Sequence, residues 1–193
     1  YRVKCAVLDA QFFGVPQHRE RLIFIGTRED LGIEPTFPKP QGKPVPLNAV
    51  LPHIAASTSN ISHKPTVKPA SQPASTILVQ GPSDESGMAI DRYAIGDEWE
   101  KLKPGGQSEK YFSLQKADPR KPSPCITQTA GAVLSAAGVT HWAEKRKFTI
   151  AELRRICGFP DDFVLTGTYA QQYERLGRAV PPSEALSEFL AAR

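Results

Sequence analysis

Proline is spread very unevenly along this chain, and that spread limits the fold more than any other feature. Only Pro16, Pro160, Pro181 and Pro182 lie outside residues 31–145, which leaves 14 of the 18 prolines inside that stretch at irregular intervals. Each proline removes a backbone N–H and restricts the residue before it, so long helices are excluded there. Short strands fit at Ser75–Val79, Tyr111–Leu114 and Cys125–Thr129, punctuated by Gly105, Gly106 and the Pro122-Ser-Pro124 run. Between Pro35 and Ser83 there are four lysines (Lys39, Lys43, Lys64, Lys68) and no acid. Such a strip suits either a solvated irregular surface or one facing phosphate.

The flanks read differently. Val3–Leu8 and Leu22–Ile25 are short runs of branched and aromatic residues, predicted to be strands joined by a loop over Ala10–Glu20. After residue 145 the pattern turns helical. Thr149 and Glu152 have capping-box spacing, with Leu153, Ile156 and Cys157 on one face and Gly158 placed to stop the helix. Thr168 and Gln171 repeat the spacing, with Tyr169, Tyr173 and Leu176 on one face before Gly177. A last helix is expected from Pro182, with Leu186, Phe189 and Leu190 as its apolar stripe.

Composition narrows the function classes. No apolar run approaches the ~20 residues that span a bilayer. The three cysteines, Cys5, Cys125 and Cys157, lie too far apart for a zinc or disulfide framework, which predicts a reducing, intracellular setting and no metal. Cys5 and Cys157 are expected to be buried, inert thiols. A net charge of +4 permits a nucleic-acid partner without requiring one. The single methionine is Met88, so Tyr1 is not expected to be a translation start, and a missing part is expected N-terminal to it.

Three clusters carry chemistry. In the first, Gln17, Arg19 and Arg21 stand where the chain enters a strand; period-two geometry would put both guanidiniums on one side, facing a phosphate or a carbonyl-bearing ring. Surface arginines paired with Glu20 or Glu29 fit the same residues. The second runs from Lys145 through the capped helix to Gly158-Phe-Pro160 and Phe163, and suits either a scaffold for a recognition element or a plain amphipathic helix. The third, Tyr173 to Pro182, is predicted to make a tight turn between a glycine ending one helix and a diproline opening the next.

In this order and spacing the clusters resemble the last three motifs of the DNA cytosine-5 methyltransferases. Gly14-Val-Pro-Gln17-His-Arg19-Glu-Arg21 is similar to the eighth motif, Lys147-Phe-Thr-Ile through Gly158-Phe-Pro-Asp-Asp-Phe163 to the ninth, and Gly177-Arg-Ala-Val-Pro-Pro182 to the tenth. Pro122-Ser-Pro-Cys-Ile-Thr127 is similar to a short element late in the family's variable recognition region. The resemblance implies a mixed α/β fold: the C-terminal part of a methyltransferase catalytic domain with an inserted, irregular, short-stranded recognition domain. Residues 1–30 would end the catalytic sheet, 31–145 would be the target-recognition region, and 146–193 would be helices completing the catalytic domain.

The implied chemistry is transfer of a methyl group from S-adenosylmethionine to C5 of a cytosine flipped out of duplex DNA, as in restriction–modification systems. Gln17, Arg19 and Arg21 would line the flipped-base pocket. Lys39, Lys43, Lys64, Lys68 and Thr127 would face the DNA backbone, and Gly177, Arg178, Ala179 and Val180 would complete the cofactor site. The partners implied are duplex DNA and the N-terminal half of the enzyme, in the cytoplasm and at the nucleoid if the source is bacterial. The nucleophilic cysteine loop has no counterpart, because Cys125 belongs to the recognition element; the chain alone is therefore expected to be inactive. Two classes stay open: part of an ordinary methyltransferase, or a non-catalytic DNA-binding module, either the specificity subunit of a split enzyme or a degenerate relative. Two departures matter to that choice. Cys125 stands where the element usually has threonine. Arg178 stands where asparagine is usual, and is expected to disturb the cofactor site unless it turns to solvent or pairs with Glu174.

Overall fold

A computed structural model describes residues 1–51, 89–91, 93–130 and 138–182. Both strands expected near the start form. β1 (Arg2–Asp9) and β2 (Glu20–Thr27) make an antiparallel ribbon with Cys5 opposite Phe24 and Val7 opposite Leu22. Because side chains alternate across a strand, Val3, Cys5, Val7, Leu22 and Phe24 share one face. That face is bare, with Val7 62% and Phe24 65% exposed, and nothing among the described residues covers it. Cys5 is therefore exposed rather than buried. The apolar residue types were right for burial; the surface that would bury them is not among the described residues.

The main core lies where the two C-terminal helices meet the proline-rich region. Leu153 and Ile156 of α3 (Ile150–Ile156) and Tyr173 and Leu176 of α4 (Tyr169–Arg178) pack with Ile126 and Phe148. The short helix α1 (Leu47–Val50) adds Leu47 to the same core. Both capping boxes form as the spacing predicts. Thr149 Oγ1 accepts from the Glu152 N–H at 3.1 Å while Glu152 Oε2 accepts from the Thr149 N–H at 2.7 Å. Thr168 and Gln171 exchange the same pair of bonds at 3.3 and 2.9 Å. Gly158 ends the first helix in the left-handed region at φ +77°, where L side chains are strained.

Two expectations change, and one element was not expected. No strand forms at Tyr111–Leu114; the chain turns there, and a two-residue β3 (Gln115–Lys116) pairs in parallel with β4 (Val139–Thr140). Cys125–Thr129 is irregular and runs into a 3-10 turn at Gln128–Ala130, because Ser123 spends its backbone bonds on Pro16 and His18 across the chain. A short helix, α2 (Ala94–Lys101), occupies part of the proline-free interval between Pro82 and Pro104 and buries Ile95 and Trp99 with Ile90 and Leu114 in a second, smaller core. Its signal was the four-residue spacing of Ile95 and Trp99. The strand at Ser75–Val79 and the helix after Pro182 fall outside the described residues.

Gly177 does not end α4. The helix runs through Arg178 to a cap at Ala179, and the diproline stops it. Glycine serves a different purpose there: a Cβ on Gly177 would lie 2.6 Å from Gln128 N and 2.7 Å from Gln128 Cα. The helix and the 3-10 turn touch backbone to backbone at this point.

Candidate functional site

The loop between β1 and β2 is tied together by one carboxylate. Asp9 accepts from the backbone N–H of Arg19 at 3.0 Å and of Gln11 at 3.3 Å, and from Gln11 Nε2 at 2.5 Å. His18 Nδ1 lies 2.6 Å from the same carboxylate. Partial burial opposes ionisation, yet the bonds from Gln11, Arg19 and His18 together hold the Asp9 carboxyl below its ordinary range. The network fixes the exit of the loop and so aims Arg19.

Arg19 reaches inward with only 2% of its surface exposed. Its guanidinium donates to the carbonyl of Ile126 at 2.8 Å and to that of Gly177 at 2.7 Å, with Cys125 Sγ at 3.4 Å. One side chain from the first cluster thus pins the Cys125–Thr127 element to the third cluster. Arg21, two residues on, is half-buried and donates to the Glu20 carbonyl at 2.7 Å. Neither arginine makes an ion pair among the described residues, so pairing with Glu20 or Glu29 is not how they are held.

The first and third clusters meet the Cys125–Gln128 segment in an open cleft of about 400 Å³. Arg19 and Arg21 line it from the first cluster, Cys125, Ile126, Thr127 and Gln128 from the recognition element, and Gly177 and Arg178 from α4. Its wall is positively charged and offers exposed polar side chains at Thr127 and Gln128. Such a lining suits an anionic or carbonyl-rich planar ligand.

The other expected site residues lie elsewhere. Gln17 is fully buried beside the cleft's inner wall, where its Nε2 donates to Cys157 Sγ at 3.5 Å. Burial pushes the Cys157 thiol up to about 11, which makes it inert at neutral pH. Ala179 lines a neighbouring recess with Gln171, Glu174, Arg175 and Arg178. Val180 and Pro181 border an apolar hollow with Leu8, Phe13, Val15 and Ile23 that reaches the two arginines from the other side. Lys39 and Lys43 are exposed in the irregular segment before α1 and do not line the cleft. Lys64 and Lys68 lie outside the described residues. Two members of the cleft went unread in the sequence: Gln128, and Gly177 as a contact point rather than a helix end. The available signal was a glycine inside a helical pattern, which often marks close approach of another backbone.

Arg178 pairs along its own helix. Its Nη1 lies 3.1 Å from Glu174 Oε1, one helical turn back, and both side chains are well exposed. An exposed i,i+4 pair is worth about 0.3–0.5 kcal/mol. Arg178→Asn is accordingly expected to change the unfolding free energy by less than about 0.5 kcal/mol. Urea unfolding of both proteins checks this; a loss of several kcal/mol would mean that the side chain carries structure the ion pair does not account for.

Comparison with known proteins identifies the fold and the family. The crystal structure of a prophage-encoded Escherichia coli protein, described as a DNA modification methyltransferase, matches 98% of the chain with a TM-score of 0.62 at 18% identity, covering 59% of its own length. The sequence profile of the C-5 cytosine-specific DNA methylases matches residues 1–189, and the chain belongs to that family. Among curated relatives, Type II methyltransferase M1.HphI of Haemophilus parahaemolyticus is 32% identical over 97% of this chain and 47% of its own length. M.Eco47II of Escherichia coli is 30% identical over 91% of the chain and 42% of its length. The chain thus spans about half the length of the curated relatives it matches. Among the described residues no helix is long and apolar enough to cross a membrane.

Proposed function

We propose that this chain is the DNA-recognition and site-completing C-terminal part of a cytosine-5 DNA methyltransferase, acting on duplex DNA together with an N-terminal half. The observation that carries the reading is the cleft itself: Arg19 and Arg21, the Cys125–Gln128 element and the last turn of α4 at Gly177 and Arg178 converge on one open, cationic space. Negative charge builds on a cytosine ring when a thiolate adds to it, and fixed donors beside the ring stabilise that charge. Arg21 is the donor free to do so. Arg19, already committed to two carbonyls, holds the walls in register.

S-adenosylmethionine supplies the methyl group when bound. Of its site this chain offers Gly177 to Val180, with Val180 exposed on the rim of an apolar hollow. That hollow fits one wall of a pocket for an apolar or planar group, and no more. The bare face of the β1–β2 ribbon supports the same reading, since a two-stranded ribbon is marginal in water until a further surface covers it. The N-terminal half of the enzyme is the cover proposed here. Pairing of Arg178 with Glu174 favours a part of an ordinary methyltransferase over a degenerate relative.

Two measurements on the isolated chain test the proposal. Tritiated methyl transfer from S-adenosylmethionine to mixed-sequence DNA is expected to stay at background; turnover above it would overturn the assignment of a nucleophile outside this chain. Binding to duplex DNA is expected at around 10⁻⁴–10⁻⁶ M and to weaken steeply with salt, as phosphate contacts require. Affinity indifferent to salt, or no binding at low ionic strength, would count against a DNA-facing role.

A further inference from the structure

Phe112 is the most exposed aromatic residue among those described, at 85%. The loop that carries it is nonetheless tightly built. Buried Ser108 accepts at its Oγ from the N–H groups of Lys110 at 3.1 Å and Tyr111 at 2.9 Å, and donates to Glu98 at 3.0 Å. Gln107 Nε2 donates to the Phe112 carbonyl at 2.7 Å, and the Leu114 N–H donates to the Tyr111 carbonyl at 2.7 Å. Leu114 is fully buried in the smaller core and anchors the loop's far end. A frame with its backbone bonds made on both sides of Phe112 holds an apolar ring out in water. Isolated exposed apolar residues are ordinary on protein surfaces; one this exposed on a rigid turn is poised to be buried by something else.

The surroundings favour a polyanion. Lys101 is paired with Glu98 at 3.3 Å, which leaves exposed Lys103 and Lys110 beside the turn, with Glu109 the one acid between Gln107 and Leu114. The turn also belongs to the same body as the cleft: Gln115 pairs with Val139, Val139 shares the main core with Ala130, and Ala130 ends the 3-10 turn whose first residue, Gln128, lines the cleft. Lysines around an apolar tip match DNA chemistry, in which phosphates ring base edges and base faces. Phenylalanine meets DNA through the methyl group of thymine or by wedging into an opened base step.

We propose that Phe112 is a base-contacting residue that sets part of the sequence preference, a claim resting on the DNA-methyltransferase reading above. The test uses the chain joined to its catalytic half, a random-sequence duplex library and S-adenosylmethionine, with the context of each methylated cytosine read by bisulfite sequencing. Phe112→Ala is expected to relax the preference at one or two positions by about tenfold, while salt-dependent affinity for mixed DNA stays within about twofold and the melting temperature is unchanged. Repeating the assay with uracil in place of thymine identifies the contact. Relaxation reproduced by uracil in the wild type assigns it to a methyl group, and relaxation seen only in the variant assigns it to a base step. An unchanged methylation context in Phe112→Ala overturns the proposal while leaving the methyltransferase reading intact. So does a variant that keeps its context but loses association with the catalytic half, which would make Phe112 part of a protein interface. A wild-type protein that neither binds nor modifies DNA overturns both readings.

Discussion

Replacing Arg19 with methionine is expected to lower the unfolding free energy by about 3–5 kcal/mol, because two buried carbonyls each lose a charge-assisted hydrogen bond of about 1.5–3 kcal/mol. Those carbonyls belong to Ile126 and Gly177, and the Cys125 thiol, 3.9 Å from the Ile126 carbonyl, is too weak a donor to replace the guanidinium. Methionine keeps most of the volume, so the loss reports hydrogen bonding rather than a cavity. Lysine should not rescue it: a single ammonium on a flexible stem cannot span two carbonyls as the planar fork does. At about 2–4 °C per kcal/mol for a chain of this size, the melting temperature should fall by roughly 10 °C. Thermal and urea unfolding of the methionine and lysine variants decide the matter. A loss below about 1 kcal/mol would mean that Arg19 is free in the cleft, as a base-contacting group would be, and that the walls are held some other way.

Gly177→Ala should also destabilise, against the usual sign for such a change. In an ordinary helix interior alanine is better than glycine by about 1 kcal/mol. Here the new methyl group would sit 2.6 Å from Gln128 N and 2.7 Å from both Gln128 Cα and the Thr127 carbonyl carbon. All three are backbone atoms, so no side chain can rotate away; α4 and the 3-10 turn must separate. Overpacking of this kind costs about 1–3 kcal/mol and sometimes more, which exceeds the propensity gain. The separation also stretches the Arg19 bond to the Gly177 carbonyl, so the two substitutions should not be additive. Urea unfolding of the single and double variants measures this, with a double-variant cost below the sum of the singles as the expected result. A Gly177→Ala protein as stable as the wild type would show that the helix and turn are looser than their contact implies.

How legible these features were in the sequence depends on their range. The apolar runs at Val3–Leu8 and Leu22–Ile25 and the capping residues Thr149 and Thr168 are patterns within a few residues, and each formed as read. The motif resemblance also brought the correct family. The short strand at Tyr111–Leu114 was misread because a half-buried turn and a strand share the same residue types over four positions. The turn is fixed by Ser108 and Gln107, whose side-chain bonds leave no periodic trace.

Arg19 and Arg21 illustrate the limit most directly. Their spacing put both on the cleft side, and both do line it. Their division of labour could not be seen, since Arg19 is bonded to residues 107 and 158 positions away. Gly177 is the same case: within its own helix it looks like a stop, and only the backbone of Gln128 explains it. By itself the sequence determined the local elements, the proline-rich exclusion of long helices, and the family. Tertiary structure alone decided which arginine is buried and why Gly177 must lack a side chain. Periodicity and capping are written into neighbours along the chain, whereas these two outcomes depend on what each atom meets across it.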